Sequence, residues 1–265
     1  MQKLLKTALA ATSLAVVSCQ PPAREDLATN AVEPKAPARR LPAIEQPMDR
    51  AGLLQAVAAA ASATALGRDN VDNQRKLEGK TFEVRIRFGC ARSGSGNVET
   101  GPFGVRFDED SRTLRVRAAP DLTIDDPAVA KLADDGVEAI EGFWMRRPWL
   151  LSDGCPVAGN EAVAVVPSSQ RVGLAQLFGA TDSRTGQRKN RAYESTSILP
   201  EGEQPSLQGY NLVLSGRLKR PGSGRVITCR IAGRDLPPEC VVSAEFDHVW
   251  IEHPQSHAIL AEWTS

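Results

Sequence analysis

The chain has 265 residues, 42% of them hydrophobic, and carries 32 basic against 32 acidic side chains, a formal net charge of zero. That length leaves room for one sizeable domain or two small ones. Balanced charge provides no basic stripe of the kind nucleic acid requires and no like-charged tail for anionic lipid, so no nucleic-acid partner is expected.

The first element is a short apolar stretch. Lys3 and Lys6 precede it, Leu9 through Val17 form it, and Val16-Val17-Ser18-Cys19 closes it. The uncharged run from Thr7 to Val17 falls short of the roughly 20 apolar residues a spanning helix needs. Basic residues, a short apolar core and a small residue at its end read instead as a removable signal. In these residues the N-terminus resembles a bacterial lipoprotein signal with its lipobox. The resemblance covers less than a tenth of the chain and reaches nothing beyond the signal. It implies a signal peptide over 1–18 and lipidation at Cys19, by diacylglycerol on sulfur and an acyl chain such as palmitate on the new amino group. Each buried methylene contributes about 0.8 kcal/mol, so three chains hold the membrane permanently. Gln20 in place of Asp implies delivery to the outer membrane, facing the periplasm. Loss of Lys3 and Lys6 leaves the mature chain near −2.

Residues 19–47 read as a tether. Pro21, Pro22, Pro34, Pro37, Pro42 and Pro47 alternate with Ala and scattered charges. Proline removes donors and fixes φ, and no apolar periodicity survives among them. Such composition buries too little apolar surface to offset the entropy of ordering.

The globular region is expected over 48–265, as one domain or two small subdomains. It opens with a helix: Asp49 is a good N-cap, Leu53, Leu54, Val57, Ala61 and Ala65 recur at helical spacing, and Gly67 stands where a left-handed cap ends it. Its alanine-rich face fits close packing on a sheet or, alternatively, on another copy. The period then changes to two. Phe82, Val84, Ile86 and Phe88 alternate with Glu83, Arg85 and Arg87; Val105 and Phe107, then Leu114 and Val116, continue the pattern. These read as half-buried antiparallel strands with one wet face. Glu161 to Val166 reads as a strand covered on both sides. Leu174 to Phe178 fits helix or strand, and Asp126-Pro127 begins a short helix that Gly136 ends. Leu212 to Leu218, Val226 to Ile231, Val241 to Ile251 and Ala258 to Trp263 complete the series. The fold class is therefore mainly β (α+β): antiparallel strands in a sandwich or barrel with an N-terminal helix packed on them.

Four cysteines remain beside Cys19. An even number in an exported chain implies disulfides. The turn containing Gly233, Asp235, Pro237 and Pro238 brings Cys229 opposite Cys240, and elimination then joins Cys90 to Cys155. No two cysteines stand at zinc-knuckle or redox C-x-x-C spacing.

Chemical motifs are sparse. His248, His253 and His257 cluster near the C-terminus, but extended geometry puts His248 on the face of Phe246 and Trp250 and His253 on the other, so no metal site is expected. There is no G-x-S-x-G elbow, phosphate loop or dinucleotide fingerprint. Gly94-Ser95-Gly96 and Gly222-Ser223-Gly224 read as turns, and Asp125-Asp126 and Asp134-Asp135 as caps and helix ends. No cofactor and no catalytic residue is assigned. Phe143 to Trp149 concentrates aromatics and arginine, the types enriched at interfaces. Trp144, Arg146, Arg147 and Trp149 are its candidate binding surface, the alternative being aromatics in the core with arginines in solvent. Arg184, Arg188, Lys189 and Arg191 read as a solvated hairpin tip. The expected role is a lipid-anchored binding or scaffolding component rather than an enzyme, docking to an envelope protein or a cell-wall polymer. A hydrolase with a site scattered in sequence, or a carrier of hydrophobic ligands, are the alternatives.

Overall fold

The computed structural model describes residues 46–68, 71–90, 98–130, 136–156, 171–179, 188, 191–222 and 224–264. The signal segment, Cys19 and the tether up to residue 45 lie outside them. So do the run 161–166, the Gly94–Gly96 turn, Asp134-Asp135, Ser223, Arg184 and Lys189.

Helix α1 spans Arg50–Ala65 because its ends are satisfied locally. The Asp49 carboxylate accepts the Gly52 N–H at 2.8 Å. Beyond the last turn Gly67 adopts φ +63°, and the N–H groups of Gly67 and Arg68 donate to the carbonyls of Thr64 and Ala63. Leu53, Leu54 and Val57 are buried, each worth about 2 kcal/mol in transfer free energy. The apolar stripe stops at Ala60 and Ala61, while Ala65, expected to continue it, faces water. A second helix, α2 (Val71–Leu77), buries Gln74. That side chain imitates a peptide unit: its Oε1 accepts the Ile227 N–H at 2.9 Å and its Nε2 donates to the Ile227 carbonyl at 3.3 Å.

The strands, in chain order, are β1 (Thr81–Phe88), β2 (Val98–Thr100), β3 (Phe103–Asp108), β4 (Thr113–Ala118), β5 (Val137–Trp144), β6 (Val172–Gly179), β7 (Tyr193–Ile198), β8 (Tyr210–Leu218), β9 (Ile227–Arg230), β10 (Glu239–Glu252) and β11 (Ile259–Thr264). The segment left open between helix and strand is thus β6. After Asp126-Pro127 the chain makes turns as far as Val129, with Asp126 accepting the Ala128 N–H on its side chain, and is helical at Ala130, later than expected; residues 131–135 lie outside the described residues. Strands β2-β3-β4-β7 make a small antiparallel sheet. The large sheet runs β1-β8-β10-β6-β5, and β10 is its spine. One edge of β10 pairs with β9 and then β8, the other with β6 and then β11. The β6–β10 pair is parallel, so the large sheet is mixed where sequence patterning led us to expect antiparallel strands throughout.

The two sheets form a sandwich. Phe88 and Phe143 of the large sheet meet Phe103 of the small one at centroid distances of 5.3 and 6.3 Å, and Phe143 lies 6.0 Å from Tyr193. Both disulfides are present. Cys229 and Cys240 are directly paired on β9 and β10, and Cys90, past the end of β1, joins Cys155.

One irregularity redirects the end of β10. Phe246 pairs with Gly216 and His248 with Ser215, so Asp247 is a bulge. The extra residue moves every later side chain to the opposite face. Phe246, Val249 and Ile251 all enter the core, whereas His248, Trp250 and Glu252 share the outer face. His248 is therefore not on the face of Phe246, contrary to the strict alternation read from the sequence. Gly216 permits the bulge: a Cβ there would lie 1.9 Å from the Glu245 carbonyl oxygen. We expect Gly216→Ala to lower the urea midpoint by the equivalent of about 2 kcal/mol, as overpacking against backbone does. An unchanged midpoint would show that the bulge does not depend on this glycine.

Candidate functional site

The bulge assembles a polar hub on the outer face of the large sheet. Strand pairing sets Arg87 beside Asn211 and Asn211 beside Glu252, one residue each from β1, β8 and β10. Glu252 is 2% exposed, and its carboxylate is fully engaged. Oε1 accepts from Arg85 Nε at 2.9 Å and from Asn211 Nδ2 at 3.0 Å, and meets His257 Nδ1 at 3.0 Å. Oε2 accepts from Trp250 Nε1 at 2.9 Å. Burial by itself would raise the Glu252 pKa. The hydrogen bonds from Asn211, Trp250, Arg85 and His257 outweigh it and hold the carboxyl down to about 2.

The cations around this carboxylate are equally fixed. Arg87 donates to Asn211 Oδ1 at 2.6 Å and to the Gln208 carbonyl at 3.0 Å. Arg85 also contacts Glu83 at 2.7 Å. Arg50, in the first turn of α1, is buried and spends its guanidinium on the carbonyls of Arg85, Arg146, Arg147 and Leu150. Burial and then the neighbouring Arg147 pull the Arg50 pKa down to about 10, which leaves it charged at neutral pH. Thus α1, β1 and the segment after β5 are clamped around one cation.

Above the hub lies an open cleft of about 410 Å³, lined by Asp49, Arg50, Glu83, Arg85, Leu151, Ser152, Asp153 and His257. Backbone strain gathers beside it. Among the described non-glycine residues, Arg112, Arg147 and His257 have positive φ, and the last two flank the hub. Such conformations cost about 1–3 kcal/mol each and persist where surrounding structure dictates them, often at functional sites.

None of the residues nominated from sequence lines this cleft, and they lie in different settings; the segment borders it only through the Arg146 and Arg147 carbonyls, which accept from Arg50 of the lining. Trp144 is half-buried against the small core of Leu122, Val129 and Ile140, with the Arg171 guanidinium 3.9 Å from its ring centre. Arg146 lies 5.5 Å from the Phe103 ring centre, and Arg147 donates to the Arg87 carbonyl at 2.8 Å. Trp149 points outward, 56% exposed, and Leu151 beside it is 53% exposed. The three histidines do not converge. His248 meets Glu262 at 3.1 Å, His253 packs on Tyr210, and His257 alone reaches the hub. Among the described residues no three His, Cys, Asp or Glu side chains could hold a metal ion together. Sequence reasoning passed over Arg50 and Asn211, and weighed Glu252 only as an extra metal ligand beside the histidines; the charged face of β1 was the one legible signal for the hub. No family model, curated protein or solved structure matches the chain.

Proposed function

We propose that this is a lipid-anchored protein of the bacterial outer membrane, facing the periplasm, that binds an envelope protein through the cleft and its rim. The observation that carries the reading is an exposed apolar side chain, Leu151, in the lining of a cleft whose charges are held in place, with the exposed Trp149 two residues before it in the chain. Binding surfaces combine an apolar anchor with polar groups fixed in advance, because preorganisation spares entropy on association. Walls carrying Glu83 and Asp153 as well as Arg50 and Arg85 suit a polypeptide of mixed charge better than a uniformly anionic polymer.

The test is in vivo crosslinking of the lipidated protein, followed by affinity purification and mass spectrometry. A protein captured by wild type should be recovered at least about tenfold less well with Trp149→Ser plus Leu151→Ser, a change worth about 1.4 kcal/mol. Both residues are exposed, so the fold should be unaffected. Equal recovery would remove the rim from the reading, and cell-wall fragments in place of protein would transfer it to a polymer.

A second reading rests on one contact. Glu252 holds His257 by Nδ1, leaving Nε2 for a proton, and Ser152 lines the same cleft. An oriented base and a hydroxyl are components of acyl hydrolysis. A fluorophosphonate that labels wild type but not Ser152→Ala would favour this reading over binding.

A further inference from the structure

We propose a second binding site, for a short-chain carboxylate, on the same outer face at the other end of β10. Ser243 and Glu252 are nine residues apart in sequence, or roughly 30 Å along an extended strand, so this site is independent of the cleft.

A pocket of about 180 Å³ lies where β5, β6 and β10 meet the end of β8, with Val137, Leu177, Lys219, Arg220, Gly222 and Ser243 in its lining. It is smaller than the 300–1,000 Å³ of pockets for drug-sized ligands and so limits the occupant to a few heavy atoms. Ser243 is the unusual member. The residue is 2% exposed, and among the described residues its hydroxyl has no hydrogen-bond partner. Its backbone is satisfied on both sides, the N–H donating to the Val226 carbonyl and the C=O accepting from the Lys219 N–H. A buried hydroxyl without a partner is costly unless something supplies one.

The neighbours indicate what would. Lys219 and Arg220 stand at the mouth, each more than two-fifths exposed. Their surface partners, Glu245 at 3.6 Å and Glu78 at 3.4 Å, hold them loosely. An entering anion can therefore recruit both cations while accepting the Ser243 proton in a hydrogen bond. Val137 and Leu177 supply an apolar wall on the other side. One carboxylate on a short alkyl chain satisfies the hydroxyl, the cations and the wall together.

Titration of the full lipidated chain in nanodiscs with sodium butyrate, against sodium chloride at equal ionic strength, tests this by the amide NMR shifts of Ser243 and Ala244. Wild type should show saturable shifts at these residues. Ser243→Ala should weaken binding about tenfold, and Lys219→Ala with Arg220→Ala should abolish it. Because Ser243→Ala removes an unpartnered hydroxyl, the ligand-free variant should unfold no earlier than wild type; earlier unfolding would assign Ser243 a structural role and overturn the proposal. Absence of saturable butyrate shifts, or saturation by inorganic phosphate alone, would overturn it as well.

Discussion

Glu252→Gln will cost about 3 kcal/mol of stability at pH 7 and flatten the acid limb of the stability profile. The side chain is buried, and its four hydrogen bonds hold its pKa near 2, against 4.5 in the absence of the fold. At 1.36 kcal/mol for each tenfold change in proton affinity, that difference corresponds to about 3 kcal/mol. The sign follows from which state binds the proton first. As pH falls below about 5 the unfolded chain takes up a proton at this position while the folded chain does not. The contribution is therefore complete above pH 5 and lost progressively towards pH 2. Glutamine keeps an oxygen for either Asn211 or Trp250, sets its NH2 against the other donor, and loses the charge that Arg85 meets. Urea unfolding at a series of pH values checks this: wild-type and variant free energies should differ most at neutral pH and converge only towards pH 2. Parallel profiles would show that the hub is not held by its charge.

Removing the Cys90–Cys155 disulfide should have the largest effect of any change considered. The bond closes a loop of 65 residues in sequence separation, for which the chain-entropy account gives about 4 kcal/mol. Its place in the fold adds a functional consequence. Cys155 comes two residues after the end of the run Leu151, Ser152 and Asp153, which forms one lip of the cleft, and the bond ties that lip to the end of β1. In Cys90→Ala with Cys155→Ala, unfolding should need correspondingly less urea. The amides of Leu151, Ser152 and Asp153 should exchange faster than those of β8 under native conditions. Partner capture should fall even with Trp149 and Leu151 intact. A stable double variant with undisturbed lip amides would mean that the hub alone positions the rim.

How much was legible before the fold was known depended on whether the information was local. Capping at Asp49 and Gly67 involves atoms within one turn, and both ends of α1 are where the residues place them. The alternation of β1, β3 and β4 needs only one wet face, and the Cys229–Cys240 pairing needs only a hairpin. Strands β5 and β7 went unread. Val137 to Trp144 buries Glu141 among apolar residues, and Tyr193 to Ile198 is mostly polar, so neither alternates cleanly. Glu141 makes sense only beside the Tyr193 hydroxyl, which donates to it across the sandwich.

The chain by itself determined the mainly β class, the N-terminal helix and the pairing of four cysteines, because each follows from residues near one another or from simple counting. The polar hub and the cleft above it were decided by tertiary structure. The Asp247 bulge depends on Gly216 in a neighbouring strand, and it alone turns Glu252 away from the core. The hub then draws on Arg85, Asn211 and His257, separated by up to 167 residues from their common carboxylate. Strand register brings them together, and register is a property of paired strands rather than of any one of them.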